Sequence, residues 1–372
     1  MKVGLITFHG SYNHGSMLQS YAALRTVEKL GHDCEIINFR MKSQKEYYAL
    51  YQTKYGAMRF FRGILLLPFH CARKERMGKF EEFFSSFFKL SGRELETYDD
   101  LKEVSDTYDV YMSGSDQIWS NLIPEFVGSK TDYTGVYFLD FVRKGIKKIS
   151  FSPSVGEVSF ESLEKKKSLL IEYSSISTRE EEGLQMLEAI TGKHVEPLLD
   201  PTFMLTGDEW REIETKEPPV KGKYIFLYTL RGIRPGLKWA RHLKKLGKRL
   251  GLRVVSVSPF FPVIGITNLI NVGPKDFLSL IDNAELVFTD SFHGTAFSIN
   301  LNKPFYSFNK SGGRDARKVG VMAKLGLSDR GLTSFEAIDG ICDYSLDYSM
   351  VNVRLNEARL TGLDWLKNSI EN

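Results

Sequence analysis

The fold class follows from the pattern of residues 1–39, MKVGLITFHGSYNHGSMLQSYAALRTVEKLGHDCEIINF. Lys2–Phe8 is a short apolar run typical of a buried strand, and the polar loop His9–Gly15 follows it. Ser16–Leu30 has the pattern of an amphipathic helix and ends at Gly31, a common helix stop. Cys34–Phe39 is the next strand. A strand, a helix and a strand in this order predict a parallel sheet.

The alternation of strands and helices is interrupted once, at residues 41–95. This segment is rich in Tyr, Phe, Lys and Arg, and it predicts helices from about Tyr47 to Phe69 and from Arg73 to Phe88. We interpret it as a helical insertion that carries contacts to an acceptor substrate.

A second change of character lies at residues 206–222, which are polar and contain two consecutive prolines. They predict a linker, after which strands and helices alternate again. We therefore expect two α/β domains with mostly parallel sheets, at residues 1–205 and 206–350, and a C-terminal helix in residues 351–372. A length of 372 residues also favours two domains.

Bulk composition excludes several classes of protein. The net charge of +4 is far below the concentrated positive field of a nucleic-acid-binding protein. Three widely separated cysteines without a CxxC pair argue against a disulfide framework and a zinc site. The N-terminal strand has no signal-peptide pattern, and the most apolar run, Gly63–Phe69, is too short to span a bilayer. We expect a cytoplasmic protein.

Two loops that follow strands of the first domain contain candidate ligand-binding residues. After the first strand, Gly10 and Gly15 permit tight turns, and His9, Asn13 and His14 supply donors near a helix start. This loop matches neither the GxGxxG nor the Walker pattern, so it does not support a dinucleotide or P-loop site. A capped turn with an exposed histidine is an equally good interpretation.

The second of these loops is Ser113–Trp119, which follows the strand Tyr108–Met112. Two small residues, an acid, an amide and a tryptophan at a strand end suit a sugar or an anion. The candidate contacts are Ser113, Gly114, Ser115, Asp116, Gln117 and Trp119. The alternative is a helix cap with Trp119 in the core.

Arginine side chains form a second group of candidates. Arg179 stands at another strand end, where a guanidinium binds a carboxylate or phosphate through two hydrogen bonds, or pairs with the acidic residues of its own helix. Arg231, Arg314 and Arg317 lie in predicted loops of the second domain. They would bind anions or remain solvated.

The segment Phe288–Phe297 carries the clearest pattern of this kind. A buried strand ends in Asp290 and Ser291, and a helix follows from His293, Gly294 and Thr295. Hydroxyls and free backbone N–H groups at a helix start suit a phosphate, Gly294 would let the ligand approach the backbone, and His293 could exchange a proton with it. The alternative is Asp290 as a helix cap beside a partly buried histidine.

Taken together, these segments resemble the polysaccharide pyruvyl transferase family. The matching segments, which occur in the family's order and span roughly 300 residues, are Gly4–Phe8, Tyr12–Gly15, Leu18–Gln19, Gly114–Trp119, Ile176–Glu181, Leu199–Thr202, Thr289–Thr295 and Asn302–Phe305. The resemblance implies two Rossmann-like domains that face each other across a cleft, as in GT-B enzymes.

The resemblance also implies the reaction, in which phosphoenolpyruvate donates a pyruvyl group to two hydroxyls of one sugar and phosphate leaves. No cofactor or essential metal is implied. His293 would be the general acid, and Arg179, Ser291, Gly294 and Thr295 would hold the donor. Asp116 is the first choice of general base and His14 the second. Expected partners are phosphoenolpyruvate and a saccharide or lipid-linked oligosaccharide acceptor.

One position departs from the family pattern. Some members carry Arg two positions before the histidine, where this chain has Ser291. Loss of an arginine from a donor pocket would weaken anion binding by about 1.5–3 kcal/mol. Either another arginine replaces it, or this chain uses another donor.

Two other functions fit the same features. A GT-B glycosyltransferase would hold a nucleotide diphosphate at the helix start after Ser291. A non-catalytic glycan-binding protein of a polysaccharide assembly complex would use the aromatic insertion and the basic helix that begins near Gly236. That helix also suits peripheral contact with a membrane. The sequence contains no indication of the oligomeric state.

Overall fold

A computed structural model of the chain describes residues 1–51, 63–64, 66–120, 123, 126, 131–230, 233–258, 261–309 and 316–372. Two candidate anion-binding residues, Arg231 and Arg314, lie outside these ranges, and so does most of the helix predicted from Tyr47 to Phe69.

The first sheet is parallel and follows the opening pattern of the sequence. Its strands are β1 (Lys2–Ile6), β2 (Asp33–Ile36), β3 (Val110–Ser113) and β4 (Lys147–Ser150), in the spatial order β2-β1-β3-β4. A parallel pair, β5 (Ile176–Thr178) and β6 (Val195–Pro197), continues the sheet, because Ser175 bridges to Ile149 of β4.

Helices cover both faces of this sheet. They are α1 (His14–Lys29), α2 (Lys42–Tyr48), α3 (His70–Phe87), α4 (Tyr98–Leu101), α5 (Phe160–Glu164), α6 (Lys167–Leu170) and α7 (Glu181–Thr191). The predicted insertion is helical only in part. Leu90 and Leu95 form parallel bridges to Ile36 and Phe39, so the last residues of the insertion are extended and run along the sheet edge.

The second sheet is also parallel. Its strands are β7 (Tyr224–Tyr228), β8 (Arg253–Val257), β9 (Thr267–Asn268), β10 (Leu286–Thr289), β11 (Phe305–Phe308) and β12 (Gly331–Leu332), in the order β12-β11-β10-β7-β8-β9. The helices of this half are α8 (Gly207–Ile213), α9 (Ile233–Leu250), α10 (Pro274–Asp282), α11 (Phe292–Asn300), α12 (Ala316–Leu325) and α13 (Ser349–Glu371). The prediction of an α/β fold with parallel sheets is confirmed.

The predicted linker contains structure of its own. Thr206 and Glu209 form a capping box at the start of α8, and Trp210 is fully buried with its indole N–H bonded to the carbonyl of Thr202 at 3.0 Å. A polar composition concealed this helix, whose buried residues are Trp210 and Ile213. The domain boundaries themselves stay a prediction.

The two halves share one apolar core. Met17 and Leu18 of α1 belong to the same buried cluster as Phe277 of α10 and Phe297 of α11. The insertion helix α3 also joins the halves, because the ammonium of Lys79 lies 2.8 Å from the carboxylate of Asp276 at the start of α10. The sheets are therefore held with their site-bearing loops together.

The C-terminal helix α13 returns from the second half to the first. Its Arg359 donates to the carbonyl of Phe203 at 2.7 Å, and Lys147 of β4 donates to the carbonyl of Ile370 at 3.1 Å. Gly362 lies so close to Met204 that a Cβ there would meet the sulfur at 2.9 Å. Among the described helices, none is long and apolar enough to cross a membrane.

Candidate active site

The carboxyl edges of the two sheets meet at one place. Gly15 at the start of α1 contacts His293 at the start of α11, and a Cβ on Gly15 would lie 2.1 Å from the imidazole Nδ1. Both positions follow central strands, β1 and β10, next to the point where strand order reverses in each sheet. Open parallel sheets bind ligands at such points.

Arg179 and Asp200 form a buried ion pair at this junction. The strand ends that carry them are adjacent, since Leu198 donates to the carbonyl of Thr178 at 2.9 Å. Arg179 Nη1 contacts Asp200 Oδ2, and both side chains are almost inaccessible to solvent. Asp200 Oδ1 accepts two hydrogen bonds from Thr202, which fix the carboxylate.

Asp116 is the second carboxylate beside Arg179. Its Oδ1 lies 3.5 Å from Arg179 Nη2, and its Oδ2 accepts a 2.6 Å hydrogen bond from the hydroxyl of Ser16. Asp116 has a left-handed backbone with φ of 65°, a conformation that is uncommon for non-glycine residues and is enriched at functional sites. Burial alone would raise the pKa of Asp116, but His293, Arg179 and the Ser16 hydrogen bond outweigh it and hold the pKa below its usual range.

Gly114 makes this turn possible. Its φ is 144°, and a Cβ there would lie 2.1 Å from the carbonyl oxygen of Phe151. Only glycine fits, and the tight turn places Asp116 over the edge of the sheet.

His293 is placed to exchange a proton with a bound group. Its Nε2 lies 4.0 Å from Asp200 Oδ2 and has no hydrogen-bond partner among the described residues, although it is buried. Burial lowers the pKa of His293 below 6.5, Asp200 and Asp116 oppose that shift, and the charges of Arg179 and Arg317 add to it. The imidazole is therefore neutral near pH 7 before a ligand binds.

Arg317 brings a second guanidinium to the site. The guanidinium carbons of Arg179 and Arg317 lie 4.9 Å and 5.8 Å from the ring centre of Phe292. Burial and the charge of Arg179 lower the pKa of Arg317, while Glu180, Asp116 and Asp200 oppose the shift. Arg179 Nε is buried and has no hydrogen-bond partner in the described parts of the chain. Together these groups can bind an anion.

Two residues of this cluster, Asp200 and Ser16, were not assigned a role from the sequence, and a third, Arg317, was one of several candidates for anion binding. Asp200 lies in a matching segment, but an Asp-Pro pair after a strand usually indicates a turn. Ser16 has no distinguishing pattern. Arg317 was predicted in a loop, whereas it lies in the first turn of α12. The sequence contains no signal that this turn would reach Arg179.

Structural roles explain most candidates around β10. Thr295 is fully buried and its hydroxyl bonds to the carbonyl of Ser291 and to Ser307, so it does not face a ligand. A Cβ on Gly294 would lie 2.3 Å from the hydroxyl of Thr289, so this glycine permits helix–strand packing rather than ligand approach. Gly294 and Thr295 therefore have packing roles, and their predicted contacts with a donor stay predictions.

Asp290 and Ser291 act as local supports. Asp290 accepts hydrogen bonds from the hydroxyl of Thr229 at 2.6 Å and from the backbone of Leu230 at 2.8 Å. Ser291 caps α11 by accepting from the backbone of Gly294 at 3.4 Å. Both side chains hold the loop that presents His293.

In the loop after β3, several residues that were predicted to bind a ligand also have structural roles. Trp119 belongs to the core, stacks on Phe138 and donates to the carbonyl of Tyr137 at 2.9 Å, so it has a packing role, and its predicted contact with a sugar stays a prediction. Ser113 donates to the same carbonyl at 2.6 Å. Ser115 lies 3.3 Å from Asp200 Oδ2 and supports that carboxylate.

Gln117 and Asn13 remain near the site. Gln117 is half-buried, and its backbone donates to Asp116 Oδ1 at 2.8 Å. Asn13 caps α1 by accepting from the backbone of Gly15 at 2.9 Å. Asn13 therefore fixes the helix start that contacts His293.

His14 lies in the core between the halves. Its ring stacks on Phe277 with centres 4.9 Å apart, and Nε2 lies 3.0 Å from the carbonyl of Val272. Burial and the charge of Arg76 lower the pKa of His14 to about 3. This environment does not suit a proton acceptor for a sugar hydroxyl, which removes the second choice of general base.

Buried neutral histidines predict acid sensitivity. Burial lowers the pKa of His9 to about 4 and that of His14 to about 3, against an ordinary value of 6.5. The unfolded chain binds these protons first, so stability is complete above pH 6.5 and falls as the pH decreases toward the folded values. Each of these two histidines should lower the free energy of unfolding by about 2 kcal/mol between pH 7 and pH 5.

Urea unfolding at pH 7 and pH 5 measures this loss. Variant His14→Gln should lose less stability between the two pH values than the parent protein, because one proton-binding group is gone. Equal losses of stability in the variant and the parent protein would contradict the lowered pKa of His14.

No three His, Cys, Asp or Glu side chains within the described ranges are grouped closely enough to hold a metal ion. The polar atoms that converge on the site belong to Asp116, Arg179, Asp200, His293 and Arg317.

Comparisons with known proteins identify the family and the fold. A sequence profile of the family polysaccharide pyruvyl transferase matches residues 13–311. No curated protein matches the sequence.

Two solved structures share the fold of this chain. S. aureus MnaA with UDP is 11% identical with a TM-score of 0.54, and the match covers 99% of this chain and 96% of that one. The UDP-GlcNAc 2-epimerase from Neisseria meningitidis bound to UDP-GlcNAc is 11% identical with a TM-score of 0.54 and coverages of 97% and 100%. At this identity they show the fold alone, and it is the GT-B fold.

Proposed function

Because the chain belongs to the polysaccharide pyruvyl transferase family, we propose that it moves a pyruvyl group from phosphoenolpyruvate to two hydroxyls of a sugar, forming a cyclic ketal. The acceptor would be a unit of a cell-surface polysaccharide or its lipid-linked precursor. The observation that carries the proposal is the cluster of Arg179, Arg317 and His293 where the two sheets meet.

The donor has a phosphate and a carboxylate, and the cluster has the charges to hold both. Among the described residues, Arg179 Nε lacks a hydrogen-bond partner, and Arg317 lies near the same phenyl ring. A guanidinium binds such groups through two parallel hydrogen bonds. The partial positive charge at the start of α11 adds to this attraction.

A role of Arg317 in donor binding would also explain the departure at Ser291. The sequence left open whether another arginine replaces the one found there in some family members. Arg317 reaches the ring of Phe292, the residue next to Ser291, from a different helix. We propose that it supplies the missing charge, so that the same donor can be used.

The reaction needs one proton at the donor's methylene carbon. In the proposed order of steps, His293 gives that proton and the first sugar hydroxyl adds to the enol carbon. The carbon–oxygen bond to phosphate then breaks. The second hydroxyl then closes the ring. The two hydroxyls release two protons, of which one replaces the proton on His293 and the other leaves with phosphate.

Asp116 is the proposed acceptor for a hydroxyl proton. Its low pKa keeps it ionised, and it lies on the Arg179 side of the junction, beside Ser16. A carboxylate of low pKa is a weak base, but it only needs to accept the proton as the hydroxyl attacks.

A thermal-shift titration tests the donor. Phosphoenolpyruvate at 100 times its Kd should stabilise the protein by about 2.7 kcal/mol, and UDP or GDP should not. Variant Arg179→Ala should lose the response. Arg211→Ala is the control, since Arg211 pairs with Asp282 away from the site.

Each outcome has a defined meaning. A response to UDP or GDP and none to phosphoenolpyruvate would replace pyruvyl transfer by glycosyl transfer. A response that survives Arg179→Ala would contradict the proposed donor site.

A further inference from the structure

Charge is distributed very unevenly along this chain. Of its 50 Lys and Arg and 46 Asp and Glu, twelve of the basic residues and none of the acidic ones lie between Pro218 and Lys275. The rest of the chain therefore has 38 basic against 46 acidic residues and is net acidic. The modest total of +4 conceals one concentrated basic segment.

Five basic residues of this segment line one groove. The groove has a volume of about 830 Å³ and runs between α9 and the edge strand β9. Its charged walls are Arg241, Lys244, Lys245, Lys248 and Arg253, and its apolar floor includes Leu252 and Ile266. Arg253 begins β8, so the groove extends to the amino ends of the strands, away from the site at the carboxyl ends.

Most of the positive charge in the groove is not neutralised. Lys245 lies 3.1 Å from the carboxylate of Asp339, and Arg249 bonds to backbone carbonyls on the same side. Among the described residues, Arg241, Lys244, Lys248 and Arg253 have no ion pair with an acidic side chain. Their guanidinium and ammonium groups are exposed to solvent.

Two exposed apolar side chains lie beside these charges. Ile264 in the loop before β9 is 60% exposed, and Leu237 on α9 is 46% exposed. A Cβ on Gly265, next to Ile264, would lie 4.0 Å from the ammonium of Lys244. Exposed basic groups next to exposed apolar side chains are the pattern of a membrane-interface site.

We propose that this groove docks the protein on an anionic phospholipid surface. Lysine and arginine would contact lipid phosphates, while Ile264 and Leu237 enter the boundary between headgroups and acyl chains. The inference rests on charge and exposure and is independent of the donor. A surface-bound enzyme would meet an acceptor that is itself held at the membrane.

Vesicle flotation of the full chain tests the proposal. The protein should float with vesicles of phosphatidylcholine and phosphatidylglycerol at low salt and remain free with phosphatidylcholine alone. Variant K244E/K248E/R253E should bind at least about 100-fold more weakly, since each basic residue near such a surface contributes roughly five-fold in partitioning. Variant I264S/L237S should weaken binding at high salt, where charge is screened.

A matched control separates location from total charge. Variant K144E/K165E/K167E changes the net charge equally at exposed positions of the first half, and it should float like the parent protein. Equal loss in both triple variants would overturn the proposal, as would binding to double-stranded DNA without binding to anionic vesicles. Phosphoenolpyruvate should raise the melting temperature of K244E/K248E/R253E as much as that of the parent protein, which would show that the site where the two sheets meet is intact in this variant.

Discussion

Replacement of His293 by Ala is expected to lower kcat for ketal formation by about 10²–10⁴, the usual contribution of a positioned general acid. Stabilisation by phosphoenolpyruvate should persist, because the arginines that hold the anion remain. The measurement is phosphate release with and without a saccharide acceptor. His242→Gln, in the second half and paired with Asp339, is the control and should retain full turnover.

The pH dependence gives the same prediction a second readout. Free His293 has a pKa below 6.5, so kcat/KM should fall as the pH rises through that value. A bound anion offsets the charges of Arg179 and Arg317 and raises the pKa of His293. The fall in kcat should therefore occur at higher pH than the fall in kcat/KM. Unchanged turnover in His293→Ala would exclude the acid role.

Replacement of Asp200 by Asn is expected to destabilise the protein by about 3–5 kcal/mol, because it leaves a buried guanidinium without its closest counter-ion. Arg179 would then depend on Asp116, whose nearest oxygen is 3.5 Å away. The repulsion between Arg179 and Arg317 would also lose part of its compensation. Urea unfolding measures the loss.

Two further variants test whether the unpaired guanidinium of Arg179 causes this loss of stability. Asp282→Asn breaks a pair with Arg211, which is 38% exposed, so it should cost no more than about 1 kcal/mol. Addition of Arg179→Met to Asp200→Asn should recover stability.

In assays Asp200→Asn should lower kcat without raising the KM for phosphoenolpyruvate, since Asp200 raises the pKa of His293 and repels the donor. A raised KM with unchanged kcat would contradict this role.

The strands and the location of His293 could be predicted from the sequence because they depend on local pattern. Leu286–Thr289 is an apolar run of strand length, and all four residues are fully buried in β10. The polar residues after it had to lie at a sheet edge, where loops meet.

The roles of individual side chains could not be predicted, because they depend on neighbours that are distant in sequence. Thr295 was chosen for its hydroxyl, but Ser307 uses that hydroxyl. Trp119 was a candidate sugar contact, and Phe138 and Tyr137 enclose it. Arg317 joined the site only through the packing of α12 beside Phe292. Helix starts and strand ends depend on residues that are adjacent in the sequence, whereas hydrogen-bond partners depend on which residues the folded chain brings together.

The contact between Gly15 and His293 makes the proposed reaction depend on both halves of the chain. Asp116, Arg179 and Asp200 belong to the first half of the chain, and His293 and Arg317 belong to the second. A separation of a few ångströms at Gly15 would remove the proton source from the carboxylates and divide the two guanidiniums. Neither half alone would then consume the donor in a futile reaction with water. The apolar core that the halves share therefore also keeps the proton source beside the carboxylates.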